Sequence, residues 1–143
     1  MKIKPIPINA SNIFLLDEII NSFRKSEFFS YFGSRNPQDA LNSHILTAVF
    51  VGCNQENVCG YCHIDYDGEL NWLGIAVMPV YQGKGLGKKI IRYALDHAKE
   101  LSVELYLSVH INNHKAIRLY ENSGFRPVRM HGNAKIIMHK HKE

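Results

Sequence analysis

The sequence predicts an α/β (α+β) fold, with a mixed, mostly antiparallel sheet of six to seven strands flanked by three to four helices. Three β-rich runs follow one another in the middle of the chain, and an amphipathic helical pattern comes directly after them. The expected element order is β-α-(α)-β-β-β-α-β-α-β-β. The 143 residues suit one domain, which we place at 1–143.

Composition narrows the class of protein. Hydrophobic residues make up 45% and charged residues 21%, as in ordinary globular domains. Basic residues outnumber acidic ones by 17 to 13, which favours an anionic ligand but is too weak to indicate a nucleic-acid partner. No apolar run suits a membrane span, and the N-terminus lacks the pattern of a signal peptide. We therefore expect a cytoplasmic protein with neither a membrane nor a nucleic-acid partner.

The cysteines and the C-terminal histidines are candidates for redox or metal chemistry. Cys59 and Cys62 have CxxC spacing without a second pair, and positions three apart on a strand point to opposite faces. We therefore interpret both as small core residues. His139 and His141 share a face of the last predicted strand, but we interpret them as part of a solvated tail. No metal site is expected.

The N-terminal third contains the first strand and helices. Ile3, Ile6 and Ile8 alternate with prolines, which predicts an edge strand at 2–8. Ser11 or Asn12 is the predicted N-cap of a helix whose apolar positions continue to residue 23. The aromatic-rich stretch 27–36 predicts a loop, followed by a short helix at 37–42. Its aromatic side chains could fill the core or form the wall of a substrate cleft.

The middle of the chain predicts an antiparallel meander of strands at 45–53, 58–66 and 69–78. Residues 54–57 (NQEN) connect the first two strands. Asp67-Gly68 connects the next two and is typical of a type I′ hairpin turn.

The C-terminal half predicts two helix–strand units and a final hairpin. An amphipathic helix is expected at 85–101, a strand at 103–109 and a second helix at 113–123. Gly124 lies where a left-handed C-terminal cap is expected. The last strands are predicted at 125–130 and 134–139. An exposed last strand would allow two copies to pair, which makes a homodimer one expectation.

The most informative motif is the glycine-rich loop between the meander and the first long helix. Gln82-Gly83-Lys84-Gly85-Leu86-Gly87 runs directly into a predicted helix start. Glycines leave room for a bulky anion, and a helix start offers unpaired N–H donors. The loop lacks the GxxxxGK[ST] pattern of a P-loop, and Lys88 stands where a dinucleotide fingerprint needs its third glycine. The loop therefore favours a ligand with a diphosphate other than those that P-loops and dinucleotide fingerprints bind.

Two motifs in register point to a family. The first is the Q/R-x-x-G-x-G/A loop just described, preceded by the strand GIAVMP at 74–79. The second is the pattern that runs from Val109 through Asn113, Ala116-Ile117 and Leu119-Tyr120-Glu121 to Gly124-Phe125. Together they span 73–125 and resemble the GNAT superfamily of acetyl-CoA-dependent N-acetyltransferases. The element order extends the resemblance over nearly the whole chain and implies the GNAT acyl-CoA N-acyltransferase fold.

The resemblance implies acetyl-CoA as the cofactor and a set of residues that hold it. Pantetheine would lie along Ile75, Ala76 and Val77 like an added strand, which requires the next strand to splay away. The Val77 N–H would polarise the thioester carbonyl. Tyr120 would protonate the departing thiolate, although it could also be a buried packing residue. The residues that would contact the diphosphate and the rest of the cofactor are Gln82, Gly83, Lys84, Gly85, Leu86, Gly87, Lys88, Asn113 and Lys115. Asn113 could also cap the second helix, and Lys115 could reach only solvent.

The general base is the part of the family pattern that the sequence lacks. Asn71 and Ser108 occupy the two positions where relatives carry a glutamate. Glu69, His63 and His110 remain as candidates, as does a relay through water. We take His110 as the candidate catalytic base because it shares a face with Ser108, near the strand end where the cleft should open. Its ordinary pKa is near 6.5.

The predicted function is transfer of an acetyl group from acetyl-CoA to a primary amine of a small molecule or a peptide, in a ternary complex. The absence of cysteine from both motifs argues against a covalent acyl-enzyme. The alternative is a non-catalytic regulatory module that senses acyl-CoA, which the missing glutamates would allow.

Overall fold

The computed structural model describes residues 2–26, 28–53 and 57–142. The described part contains seven strands in one sheet, in the order β1-β2-β3-β4-β5-β7-β6. The strands are β1 (Ile3–Pro7), β2 (His44–Gly52), β3 (Val58–Tyr66), β4 (Asn71–Val77), β5 (Leu105–His110), β6 (Arg126–His131) and β7 (Lys135–Lys140). The helices are α1 (Asp17–Ser22), α2 (Pro37–Leu41), α3 (Leu86–Leu101) and α4 (His114–Asn122).

All strand neighbours are antiparallel except β4 and β5, which run parallel. The parallel pair arises because α3 carries the chain across the sheet between these two strands. The mixed, mostly antiparallel sheet with four helices confirms the predicted fold class. No helix within the described ranges has both the length and the apolar character needed to cross a bilayer.

Two apolar cores cover the two faces of the sheet, because alternate residues of a strand point to opposite sides. One core joins α3 and α4 to the face that carries Phe50, Cys62 and Ile64. The other packs Leu16 and Ile19 against the face that carries Val49, Val51, Tyr61 and Ala76. Helix α3 has the predicted amphipathic character, and its fully or nearly buried side chains are Leu86, Ile90, Ile91, Ala94 and Ala98.

Several elements differ locally from the sequence predictions. The first helix begins as a 3₁₀ turn at Ile13–Leu16, and neither Ser11 nor Asn12 caps it. The Asn12 Oδ1 instead accepts the N–H of Asn9 at 2.8 Å, so this side chain closes the preceding turn. The predicted loop at 27–36 and the connection at 54–57 fall partly outside the described residues, which omit Glu27 and 54–56.

The turn between β3 and β4 is also longer than predicted. Tyr66 pairs with Asn71, which leaves four residues in the turn and moves Glu69 out of the strand. The Asp67 carboxylate stabilises this turn by accepting the N–H groups of Glu69 and Leu70 at 2.9 and 2.7 Å. The two-residue type I′ turn predicted at Asp67-Gly68 is therefore wrong, because the Asp67 side chain satisfies the N–H groups of a wider turn.

A β-bulge overturns the prediction for the cysteine pair. Val58 pairs with Val51 and Gly60 with Phe50, so Cys59 is the extra residue. Because the bulge adds one residue, it shifts the alternation of side chains between the two faces of β3. Cys59 and Cys62 therefore both lie in the core under α3. Their burial confirms the interpretation as core residues, whereas the expected opposite orientation is wrong.

The strand order contradicts the expectation that the last strand is exposed at an edge of the sheet. The last strand, β7, lies between β5 and β6, so it is not exposed for pairing with another copy. The edge strands are β1 and β6. Gly124 has φ of 102° after α4, which confirms the predicted left-handed cap.

We predict that Gly74→Ala destabilises the fold. A Cβ at Gly74 would lie 2.2 Å from Cε1 of His63, and that ring is held on its other side by Tyr61. The free energy of unfolding should fall by about 1–3 kcal/mol, as in other overpacked cores.

Urea unfolding of Gly74→Ala measures this loss, and Gly87→Ala is the matched control. A Cβ at Gly87 meets only the end of the flexible Leu119 side chain at 3.2 Å, and alanine favours the helix. Equal stabilities of Gly74→Ala and the wild type would contradict the close packing of His63 on β4.

Candidate active site

A gap opens between β4 and β5 directly after the two strands meet. Their ladder consists of one pair, Trp72 with Tyr106, although β4 continues to Val77 and β5 to His110. On its other side β4 pairs with β3 along its whole length. The gap therefore widens toward the C-terminal ends of the parallel strands, as the motif resemblance requires.

Main-chain groups of Ile75 and Val77 face this gap. The N–H of Met78 donates to Cys59 on β3 at 2.9 Å, whereas the carbonyl of Val77 accepts from Nε2 of Gln82 at 3.0 Å. Successive residues of a strand direct their main-chain groups to alternate sides, so Val77 and Ile75 face away from β3. Neither pairs with β5. A ligand with amide groups could therefore hydrogen-bond along this strand.

Ala76 differs from its two neighbours. It lies opposite Tyr61 in the ladder with β3, and its side chain is buried in the core under α1. By the same alternation its main-chain groups point toward β3. Of the three strand residues predicted to bind the cofactor, Ile75 and Val77 are thus the two whose backbone faces the gap.

The glycine-rich loop forms an open cradle at the wide end of the gap. Gly83 and Gly85 have φ of 79° and 78°, which glycine adopts without strain. Nothing lies within 4 Å of a Cβ built at either position. Gly85 is the N-cap of α3, whose first N–H groups and positive dipole end therefore face an open surface suited to an anion.

The remaining loop residues take distinct positions. Lys84 and Lys88 are exposed and add positive charge. Leu86 is 1% exposed with its side chain in the core, so only its main chain can reach a ligand. Gly87 lies in the first turn of α3, close to the end of the Leu119 side chain on α4. The Gln82 amide is already engaged with the Val77 carbonyl.

Helix α4 supplies the second motif. Asn113 is its N-cap and accepts the N–H of Ala116 at 3.4 Å, so the capping role considered for this residue is present. Lys115 is exposed in the first turn. Both lie at the N-terminal end of α4, whose dipole again favours an anion.

Tyr120 is a buried phenol on α4. Its side chain is 8% exposed and its ring lies 5.9 Å from that of Phe125. Burial raises the pKa of Tyr120 to about 12, so the phenol keeps its proton at neutral pH. The packing role considered for this tyrosine is present, and the protonated phenol is also in the state that a general acid requires.

His110 lies at the end of β5, where its ring contacts Phe28 with a centroid distance of 5.3 Å. Its Nδ1 accepts the N–H of Asn112 at 3.1 Å. The proton of the neutral ring is therefore assigned to Nε2. His110 can take a proton from an amine only after the bond to Asn112 breaks, because Nδ1 must otherwise keep its lone pair for the Asn112 N–H.

The two positions that lack glutamate lie on either side of the Trp72–Tyr106 pair, where the gap begins. Asn71 is the first residue of β4, and Ser108 is exposed on the same face of β5 as Tyr106 and His110. Glu69, another candidate base, lies exposed in the Asp67 turn. None of the described contacts brings Glu69 to His110.

A polar network beneath the 28–36 segment was not predicted as a unit. The Tyr31 hydroxyl donates to Oδ2 of Asp65 at 2.7 Å and lies 2.7 Å from Nε2 of His44. Ser43 donates to the other oxygen of Asp65. Burial raises the pKa of Tyr31 and lowers that of His44. The aromatic cluster in 27–36 was visible in the sequence, but its partners on β2 and β3 follow only from the fold.

His63 connects this network to β4. It is 3% exposed, and its Nδ1 lies 2.7 Å from the Tyr61 hydroxyl. Its ring contacts that of Tyr31 with a centroid distance of 4.1 Å and a tilt of 38°. The ring fills the space that Gly74 leaves open. Burial holds the pKa of His63 well below its ordinary value, so the ring is neutral at pH 7. A neutral imidazole thus packs on β4 two residues beyond the Trp72–Tyr106 pair.

The chemistry of these groups fits coenzyme A. The open cradle at Gly83 and Gly85 suits a diphosphate. The main-chain groups of Ile75 and the N–H of Val77, which do not pair with β5, suit the amides of pantetheine. The Val77 N–H faces the same gap and is a donor suited to a thioester carbonyl.

Curated relatives match part of the chain. The spermine/spermidine N(1)-acetyltransferase of Bacillus subtilis is 50% identical over 48 residues, which cover 32% of this chain and 32% of that protein. The ribosomal protein bS18-alanine N-acetyltransferase of Escherichia coli is 36% identical over 66 residues, or 46% and 45% of the two chains. The matched segments thus span about a third to a half of these relatives.

A solved structure matches nearly the whole chain. The acetyltransferase yncA of Salmonella typhimurium, determined with its cofactor acetyl-CoA, aligns with a TM-score of 0.77 over 99% of this chain and 94% of that one. At 16% identity the similarity shows the fold alone.

The family model described as the acetyltransferase (GNAT) family matches residues 15–125. The matched range contains both motifs, the glycine cradle and the gap. It confirms the family resemblance drawn from the two motifs. The chain belongs to the acetyltransferase (GNAT) family.

Proposed function

We propose that this protein transfers the acetyl group of acetyl-CoA to a primary amine of a small molecule or a peptide. The observation that carries this proposal is the gap between β4 and β5, where main-chain groups of β4 have no partner on β5 beside the glycine cradle. Transfer would be direct, in a ternary complex. Cys59 and Cys62 are buried with raised pKa values, which makes them poor nucleophiles for an acyl-enzyme.

The cofactor would supply an activated acetyl thioester. Main-chain N–H groups from Gln82 to Lys88 would hold the diphosphate of the cofactor. Asn113 and Lys115 at the start of α4 would also contact the cofactor. The Val77 N–H would donate to the thioester carbonyl oxygen, a contribution of about 3–4 kcal/mol to the barrier in comparable sites. Tyr120 would give its proton to the departing sulfur.

The acceptor class rests on the relatives. One is named for spermine and spermidine and the other for a ribosomal protein alanine, and in both names the acceptor is an amine. We propose an amine acceptor of either kind. The cytoplasmic location and the single domain over 1–143 stay predictions, as does assembly into a homodimer.

The missing glutamates favour a second candidate function. Asn71 and Ser108 cannot act as the bases that relatives carry at these positions, so the protein could bind acyl-CoA as a regulatory module without turnover. This alternative shares the cofactor site with the transferase and differs only in catalysis.

A thiol-release assay separates the two functions. Untagged protein with acetyl-CoA is offered spermidine, a lysine-containing peptide and a peptide with N-terminal alanine, and free CoA is measured against an amine-free control. Acceptor-dependent release supports the transferase. Tight acetyl-CoA binding with no release from any amine supports the regulatory module.

We predict that Gly85→Leu weakens CoA binding. The side chain would occupy the open surface of the cradle, and loss of one charge-assisted hydrogen bond corresponds to about a 10–100-fold fall in affinity. Calorimetry with CoA measures the change.

Gly132→Leu is the matched control for this variant. Gly132 also has a positive φ, of 64°, with nothing within 4 Å of a Cβ, but it lies in the turn between β6 and β7. The two substitutions therefore impose similar backbone strain. Equal CoA affinities of the two variants would refute the cradle.

We predict that Tyr120→Phe lowers kcat by about 100-fold, a typical contribution of a general acid. The ring is retained, so stability and acetyl-CoA affinity should stay near the wild-type values. Because the pKa of Tyr120 is raised to about 12, the wild-type phenol stays protonated from pH 7 to 9. The rate ratio between wild type and variant should therefore be constant over that range.

Tyr93→Phe controls for removal of a hydroxyl elsewhere in the fold. Tyr93 lies on α3 with its ring 5.3 Å from that of Phe50. If Tyr120→Phe is as active as Tyr93→Phe while chemistry limits the rate, Tyr120 is a packing residue only.

We predict that His110→Gln lowers kcat/KM for the amine by about 100-fold if the imidazole is the base. Glutamine can still accept the Asn112 N–H, so the strand end should keep its structure. His131→Gln on the exposed strand β6 is the control. Wild-type kcat/KM in His110→Gln would exclude His110 as the base and leave Glu69, His63 or a relay through water.

A further inference from the structure

A cluster of potential metal ligands lies at the other end of β5 from the widening gap. His139 is on β7, and His141 follows the strand end on the same face. His139 pairs with Tyr106 across the ladder, and Glu104 lies two residues before Tyr106 in the chain. The register of β5 and β7 thus brings Glu104 beside both imidazoles. The spacing of the two histidines in the sequence does not reveal this contact.

The distances within this cluster suit coordination of one ion. His139 Nε2 lies 3.1 Å from one oxygen of Glu104, and His141 Nδ1 lies 3.6 Å from the other. One ligand atom from each of the three residues falls within 4.8 Å of the other two. Two ligand atoms bound to Zn²⁺ at tetrahedral positions lie about 3.3–3.4 Å apart, since each bond is about 2.0–2.1 Å long.

We propose that Glu104, His139 and His141 bind one divalent transition-metal ion of the Zn²⁺ or Ni²⁺ type. Two imidazoles and one carboxylate are the donors that these ions prefer, whereas Mg²⁺ and Ca²⁺ prefer oxygen ligands alone. The remaining coordination positions would be filled by water. Among the described residues, this is the one group of three such side chains close enough to share an ion.

The charges around the cluster are compatible with a cation. Oε2 of Glu104 accepts a hydrogen bond from Nε2 of His139 at 3.1 Å, and the carboxylate contributes negative charge to the cluster. The metal would replace the proton that His139 donates to Glu104. Lys140 points to the opposite face, where its Nζ lies 3.0 Å from a Cβ built at Gly124. Its ammonium group therefore lies outside the cluster.

The cluster is also joined to the narrow end of the gap. The His139 ring stacks on Tyr106 with a centroid distance of 4.5 Å, and Tyr106 in turn contacts Trp72 at 5.8 Å. A bound ion would link the segment before β5 to the end of β7, immediately beside the pair from which β4 and β5 diverge. We assign it a structural role at this point of the sheet.

Calorimetric titration of chelator-treated, untagged protein with ZnCl₂ or NiCl₂, in the absence of acetyl-CoA, tests the site. The expected result is saturable binding of one ion per chain. Glu104→Gln, His139→Gln and His141→Gln should each weaken it by about tenfold or more, since even changes in residues around a metal site cost about 10–100-fold. His131→Gln is the control and should bind as the wild type does.

Failure of the wild type to bind either ion, or wild-type affinity in all three variants, would overturn the proposal. His141→Gln keeps the test decisive even if another variant misfolds, because the His141 side chain is 84% exposed. The titration does not involve acetyl transfer. A negative result would therefore leave the proposed function standing, and an inactive enzyme could still bind the ion.

Discussion

The separation of β4 from β5 after a single residue pair is the constraint on which the site depends. A parallel pair of strands normally continues its hydrogen bonds along both chains, and buried main-chain groups without partners are costly. Here Trp72 and Tyr106 pair, and then Ile75 and Val77 on β4 are left without a partner on β5. The sheet can sustain this arrangement because β3 supports the other side of β4 at every residue. A ligand then completes what the fold leaves open.

Around Gly74, the face of β4 opposite α3 is supported by polar aromatic groups. His63 occupies the room at Gly74, and Tyr61, Tyr31 and His44 surround it. Each of these groups has a hydrogen-bond partner, so the cost of burying them is limited. Both the shapes of these side chains and their hydrogen bonds determine how they pack. This fixes the position of β4 more narrowly than an apolar core would.

Sequence patterns predicted the elements whose causes are local. The glycine loop, the amphipathic helix α3 and the cap at Gly124 each follow from spacing and backbone preference. Features that depend on pairing between distant segments could not be derived in this way. The bulge at Cys59 changes which face the cysteines occupy, and the contact of Glu104 with His139 needs the β5–β7 register.

The two edge strands of the sheet differ from the gap in how they respond to an extended chain. β1 carries Pro5 and Pro7, and β6 carries Pro127 together with an irregular register before Arg129. Prolines, bulges and charges at a margin discourage recruitment of a foreign strand. The interior slot beside Val77 has no such protection. The outer edges of the sheet thus discourage pairing with an extended chain, whereas the gap inside the sheet permits it. A ligand that pairs there must be narrow enough to enter between two strands.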